Sequence, residues 1–269
     1  PFSFRDRQIC QHSANFADRR WIIAKLSEFN IEEAAPDVFR LGTGFVGFYL
    51  IAEGGRYTLV DSGLPGYWDH LEEFLAGRGS TINDIEAQVL THHHIDHRGN
   101  TERIREESGG PVYIHEADRS FLDSVPPPPK APIWKPAVFM YLAHLIRHKA
   151  MTVAPVVDVS TYVDGETLVL PGRPQVIHVP GHTMGHSCVY LKDKKALLTG
   201  DAMAGMDAAT GEIGPRLAPS FVNDDSEMAL ESLSRLEDLD ADKMLTVHGP
   251  NFYGPLAEAV RLAREIGIQ

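Results

Sequence analysis

The sequence predicts an α/β chain with much antiparallel pairing, and three observations carry that prediction. Short apolar runs of β-type residues are separated by glycine turns, as in Val38–Leu41, Phe45–Ala52 and Arg56–Val60 around Gly42-Thr43-Gly44 and Glu53-Gly54-Gly55. Segments of helical period stand between them, Trp68–Ala76 being one, with Leu71, Phe74 and Leu75 on one face. The second half then repeats this element order without repeating the sequence.

Taken in order, Ser13–Asn30 reads as an amphipathic helix packing on the main domain. Trp21, Ile22, Ala24, Leu26 and Phe29 fall mostly on one face, with Asp18, Arg19, Lys25 and Glu28 available to water. After the hairpin strands and the helix Trp68–Ala76, a strand over Ala87–Leu90 leads into a histidine run and then a helix over Arg98–Glu107. Pro111–His115 is another short strand, and His115 is expected there as a buried structural histidine. The run Pro126–Pro129 cannot join a helix or a central strand.

Ala137–Met151 forms a helix apolar around most of its circumference, with Val138, Phe139, Met140, Tyr141, Leu142, Leu145 and Ile146. Such a helix is expected to be covered on more than one side, as a lid over the site or a dimer contact. His144 and His148 are assigned to its polar face. The stretch at about 119–156 is therefore expected to be an insertion in a single domain over 1–269. Further on come strands at Thr161–Val163, Glu166–Leu170, Gln175–Val179, Cys188–Leu191, Lys195–Leu198 and Met244–Val247, and helices at Ser226–Leu239 and Leu256–Ile266.

Lys and Arg number 25 against 37 Asp and Glu, a net charge of −12 that repels phosphate backbones and argues against a nucleic-acid partner. No apolar segment reaches membrane-spanning length, so no membrane partner is expected, and Pro1–Asp6 carry no signal-peptide pattern. The two cysteines, Cys10 and Cys188, suggest no disulfide framework, and a reducing cytoplasm is the expected location.

The stretch that organises the chain is Thr91-His92-His93-His94-Ile95-Asp96-His97. In an extended chain alternate side chains face the same way, so His92 and His94 converge on one point while His93 turns away. As the chain turns into the following helix, Asp96 and His97 swing toward a neighbouring point. Imidazole and carboxylate in that spacing suit zinc and its first-row neighbours. Further ligand types stand at later strand ends: His182 in Pro180-Gly181-His182-Thr183, Asp201 in Thr199-Gly200-Asp201, and His248 in Val247-His248-Gly249.

With Val60-Asp61-Ser62-Gly63 and Gly185-His186, these motifs in this order resemble the metallo-β-lactamase superfamily, and the resemblance covers most of the chain. It implies a four-layer αββα sandwich. It also implies one metal on His92, His94 and His182, a second on Asp96, His97 and His248, and Asp201 bridging the two. Asp61 is implied as a buried carboxylate supporting the ligands. His186 and His178 are expected to support the site or the fold without ligating.

The chemistry expected is that of a dinuclear metal-dependent hydrolase with a metal-bridging hydroxide, with zinc as the first choice of metal and manganese, cobalt or iron as alternatives. Asp96 is the expected catalytic residue, orienting the water or relaying a proton to the leaving group. The Thr91–His94 form looks most like glyoxalase II thioesterases, while homoserine-lactone lactonases share the whole ligand set. Positions 202 to 206 hold no match to the lactonases' tyrosine. Asp201 stands where true β-lactamases carry cysteine or serine, which argues against antibiotic hydrolysis as the main role. The expected substrate is a small carbonyl ester, lactone or thioester with an apolar part. The alternatives are a mononuclear iron sulfur dioxygenase and a phosphodiesterase or β-lactamase-like hydrolase.

Overall fold

The structure is a computed structural model that describes residues 26–124, 132–207 and 210–269. Most of the expected helix Ser13–Asn30 lies outside the described residues, as do Cys10 and the run Pro126–Pro129. The first half builds β1 (Asn30–Ala35), β2 (Val38–Gly42), β3 (Gly47–Glu53), β4 (Arg56–Val60), β5 (Ile85–Val89), β6 (Val112–His115) and β7 (Val159–Tyr162), a seven-stranded sheet in sequence order. Strands β1 to β4 pair antiparallel, through Pro36-Asp37 and then through two glycine-containing turns, and β4 to β7 run parallel. Parallel neighbours need crossovers. α1 (Trp68–Ala76) and α2 (Thr101–Ser108) supply two, and α3 (Glu116–Arg119) and α4 (Pro136–Arg147) lie in the third.

The second half adds β8 (Gln175–His178), β9 (Ser187–Leu191), β10 (Ala196–Leu198), β11 (Ala204–Met206), β12 (Ile213–Arg216), α5 (Ser226–Ser232), β13 (Lys243–Leu245), β14 (Phe252–Tyr253) and α6 (Leu256–Ile266). Five of these strands form a sheet in the order β14-β13-β10-β9-β8, and β11 and β12 pair as a separate ribbon.

The two-residue period of the strands divides their side chains among three apolar layers. Phe48 and Leu50 of β3 face α1 and α2, meeting Trp68, Leu71, Leu75 and Ile104. Tyr49 and Ile51, on the other face, meet Val189, Leu191, Leu198 and Leu245 between the sheets. Cys188, Tyr190 and Leu197 point the opposite way, against Leu233, Leu256, Val260 and Ala263 of the C-terminal helical layer. Helix, sheet, sheet and helix thus stack as the expected four-layer αββα sandwich. Cys188 is a buried free thiol, and burial pushes its pKa up. Among the described residues no helix is long and apolar enough to cross a membrane.

Several expectations are corrected. β1 went unforeseen because Asn30, Ile31 and Glu33 of this edge strand are exposed and its pattern is polar. β11 and β12 were also missed, being short and separated from both sheets. Glu166–Leu170 is not a strand; only Thr167 bridges, to Gln175. α4 stops at Arg147 instead of Met151, and the chain then turns through Lys149 at φ 61°. The helix expected over Ser226–Leu239 gives way at Leu233 to a tighter 3-10 turn. His115 is half-buried, stacked on His178 at 4.0 Å. His144, expected on the polar face of α4, is buried, while Phe139 and Ile146 of the same helix are 64% and 71% exposed in the single chain.

Candidate metal centre

The candidate residues meet at one edge of the sandwich, where strands of both sheets end. Thr91–His97 follow β5 and Asp61 follows β4 in the first sheet. His182, Asp201 and His248 follow β8, β10 and β13, which run parallel to one another in the second. Close local packing sets these loops. Gly200 has φ 50°, and a Cβ there would meet His186 Nε2 at 2.7 Å and Thr91 at 2.9 Å, so a side chain would push the Asp201 loop off both neighbours.

Two groups that could hold a metal ion result, each with its donor atoms within 4.8 Å of one another: His92, His94, His182 and Asp201; and Asp96, His97 and His248. Asp201 faces both. Its Oδ2 lies 3.3 Å from His182 Nε2, and its Oδ1 lies 3.2 Å from His248 Nε2 and 3.3 Å from His97 Nε2. His182 Nε2 and His94 Nδ1 are 3.0 Å apart.

The outer nitrogens fix which inner nitrogens carry lone pairs. Thr91 Oγ1 donates its one proton to Asp61, at 2.9 Å from Oδ2, and so accepts from His92 Nδ1 at 3.1 Å. His97 Nδ1 donates to Asp61 Oδ2 at 2.8 Å, and His182 Nδ1 donates to Asn223 Oδ1 at 2.8 Å. His248 Nδ1 donates to the carbonyl of Phe45. In the neutral ring each bond leaves the Nε2 lone pair turned inward, the tautomer a metal requires. Asp61 holds this post at φ 58°, a left-handed backbone that costs any side chain something, though aspartate less than most.

The electrostatics divide the imidazoles. Burial, reinforced by neighbouring imidazoles, pushes the pKa of His92 and His94 well below the ordinary value, and burial likewise lowers His182. Burial opposes protonation of His97 too, but Asp201, Asp61 and Asp96 outweigh it and raise its pKa well above the ordinary value. His248 is raised by Asp201 and Asp96 against the same burial. Asp201 is held well below the carboxylate range: burial pulls it up, and His248, His97 and His182 pull it further down.

These residues fit a metal by a test independent of resemblance. His92 Nε2, His97 Nε2 and Asp201 Oδ1 are buried with no hydrogen-bond partner among the described residues. Buried polar atoms are rarely left so, and cations able to bind lone pairs account for all three.

His186 is not in either ligand group. Its Nε2 accepts the Asp201 N–H at 2.9 Å, and burial, with His182 close by, lowers its pKa to about 3. His178 lies outside, bonded to the Met184 carbonyl at 2.9 Å. Four supports went unpredicted: Thr91, Asn223, Asp118 and Tyr141. Asp118 of α3 accepts from Thr183 Oγ1 and Gly185 N, both at 2.7 Å, and from His93 N at 3.2 Å, tying the two histidine loops together. Tyr141 of α4 donates to Asp96 Oδ2 at 2.5 Å. Only Thr91 had a sequence signal, its place beside His92.

The family model of the metallo-beta-lactamase superfamily matches residues 41–248. Among curated proteins, the probable metallo-hydrolase YflN of Bacillus subtilis is 30% identical over 84% of this chain and 90% of its own length. The atrochrysone carboxyl ACP thioesterase nsrC of Aspergillus novofumigatus is 27% identical over 68% of this chain and 48% of its own. Among solved structures, a metallo-beta-lactamase family protein of Thermus thermophilus superposes with a TM-score of 0.61 at 26% identity, over 82% of this chain and 74% of that one. The subclass B3 enzyme BJP-1 of Bradyrhizobium japonicum reaches 0.61 at 19% identity, over 90% and 93% of the two chains, a likeness of fold alone.

Proposed function

The chain belongs to the metallo-beta-lactamase superfamily, and from that premise we propose a dinuclear metal-dependent hydrolase of a small carbonyl ester, lactone or thioester with an apolar part. The observation that carries this reading is the convergence of fixed Nε2 lone pairs on both sides of Asp201. One cation, zinc being the first choice, would be held by His92, His94 and His182, and the other by Asp96, His97 and His248, with Asp201 between them. Bound there, the ions supply water acidified to about neutral pH and Lewis acidity toward the oxygen that gains negative charge.

The chain's own residues do the rest. Asp96, with Oδ2 3.5 Å from His248 Nε2, orients the attacking water and returns a proton to the leaving oxygen or sulfur. His92, His97 and His182 are sealed from solvent, whereas His94 and His248 are partly exposed, and substrate would approach from their side. Apolar surface adjoins that side: Ile95 follows His94, and the exposed Phe121 ring stacks on His93 at 4.4 Å. Among the three bond types, the thioesterase name of the Aspergillus relative favours the thioester.

The test is elemental analysis of purified protein paired with turnover of a lactone, a thioester, a phosphodiester and a β-lactam. Near two equivalents of zinc, manganese or cobalt with thioester or lactone turnover is the expected result. One equivalent of iron without hydrolysis overturns the proposal in favour of an iron oxygenase.

A further inference from the structure

The support for the ligands comes mostly from the strand ends and the loops beside them, with one exception. Thr91, Asp61, Asn223 and the Phe45 carbonyl hold His92, His97, His182 and His248, and His186 holds the backbone of Asp201. Asp96 is held from elsewhere. Its carboxylate accepts one side-chain hydrogen bond among the described residues, from the hydroxyl of Tyr141 at 2.5 Å.

Tyr141 sits on α4, in the stretch read from sequence as an insertion. The helix is pinned with this side chain facing inward: one turn on, His144 Nε2 lies 2.7 Å from Tyr67 Oη and 3.2 Å from Thr43 Oγ1. The Tyr141 ring also stands edge-on to His248, with centroids 5.8 Å apart at 76°. It lies 6.3 Å from the ring of Phe45, the residue whose carbonyl orients His248. A single phenol therefore touches Asp96 and His248, two of the three residues of one ligand group, and none of the histidines of the other.

We propose that Tyr141 is a positioning residue for the Asp96, His97 and His248 cation group, so that α4 sets the affinity of one of the two metal sites. The proposal rests on the dinuclear reading above. Its physical basis is that a carboxylate with one donor on it loses rotational freedom before the cation arrives, and partners of this kind set metal affinity in other sites.

The experiment is a chelator-competition titration of metal-free protein with Zn²⁺, with the absorption spectrum of the Co²⁺-loaded protein as a second readout. Wild type, Tyr141→Phe and Phe139→Ala are compared; Phe139 lies on the exposed face of the same helix. Wild type is expected to take two ions. Tyr141→Phe keeps the ring and its packing; it should bind one ion as wild type does and the other about 10- to 100-fold more weakly. Only one Co²⁺ site should change its spectrum, and Phe139→Ala should match wild type. Tyr141→Phe binding both ions within twofold of wild type overturns the proposal and leaves the dinuclear reading intact. Equal weakening of both sites, or the same change in Phe139→Ala, also overturns it, since Tyr141 would then only hold the helix. A wild type that takes up a single ion overturns the dinuclear reading and this proposal with it.

Discussion

Asp118→Ala is the substitution whose cost follows most directly from the geometry. The carboxylate is fully buried and accepts from Thr183 Oγ1, Gly185 N and His93 N, with His93 Nδ1 a further 3.0 Å contact. Alanine removes the shared acceptor and leaves two N–H groups and a hydroxyl facing a cavity. A hydrogen bond to a charged group is worth about 1.5–3 kcal/mol. The bonds share one acceptor and do not add in full, so a loss of about 3–5 kcal/mol is expected. In a domain of this size that corresponds to a fall in melting temperature on the order of 10 °C.

The assay is thermal unfolding of metal-free protein, since bound metal would add its own stabilisation. Dependence on pH gives an internal check. Burial alone would raise the Asp118 pKa, but His93, Thr183 and Gly185 outweigh it and leave it below the ordinary carboxylate value. Its contribution is therefore full above about pH 4 and fades as pH falls from there through the folded-state pKa. The gap between wild type and variant should narrow on acidification. A melting temperature within about 3 °C of wild type at pH 7 would refute the view that Asp118 ties the two loops together.

Three further outcomes are expected. His94→Ala and Asp201→Ala should each reduce hydrolysis to below about a hundredth of wild type with the circular dichroism spectrum unchanged; full activity in either defeats the dinuclear mechanism. His97 and His248, whose pKa values are raised in the metal-free site, must release protons to bind a cation. Zn²⁺ affinity at their group should therefore fall at least about tenfold between pH 8 and pH 6, and a flat profile would contradict that assignment. Gly181→Ala places a Cβ 2.2 Å from Ala229 N at a residue with φ 128°. It should cost about 2 kcal/mol or more, measured by urea unfolding, and an unchanged midpoint would mean that the loop before His182 adapts freely.

What could be read from the sequence follows from the range of the interactions involved. Strands such as β3 and β9 were legible as short apolar runs of β-type residues bounded by turns, but which side chains face which layer, Phe48 and Leu50 against Tyr49 and Ile51 or Cys188 and Tyr190 against Val189 and Leu191, was settled only by packing. The candidate ligands were legible because four of them fall within six residues and the others each close an apolar strand. The supports were hidden because their partners are distant: Tyr141 is 45 residues from Asp96, and Asn223 is 41 from His182. α4 shows the limit most plainly. Apolar residues on nearly every side give no clue to the inward face, which is settled by His144 reaching Tyr67, 77 positions earlier.

The strain at Asp61 and the unpaired atoms of the ligand groups have a common account. A left-handed aspartate costs on the order of 1–3 kcal/mol, and each buried polar atom without a partner costs a comparable amount. Packing alone gives no reason to keep them, since Leu59 and Val60 beside Asp61 are already fully buried. Asp61 accepts from Thr91 N, Thr91 Oγ1 and His97 Nδ1. Through those bonds it fixes the tautomers of His92 and His97, the two imidazoles whose Nε2 atoms are left bare. The backbone strain and the bare nitrogens are therefore successive steps of one construction: the aspartate selects the proton positions, and those positions point lone pairs at the two places where cations would be held.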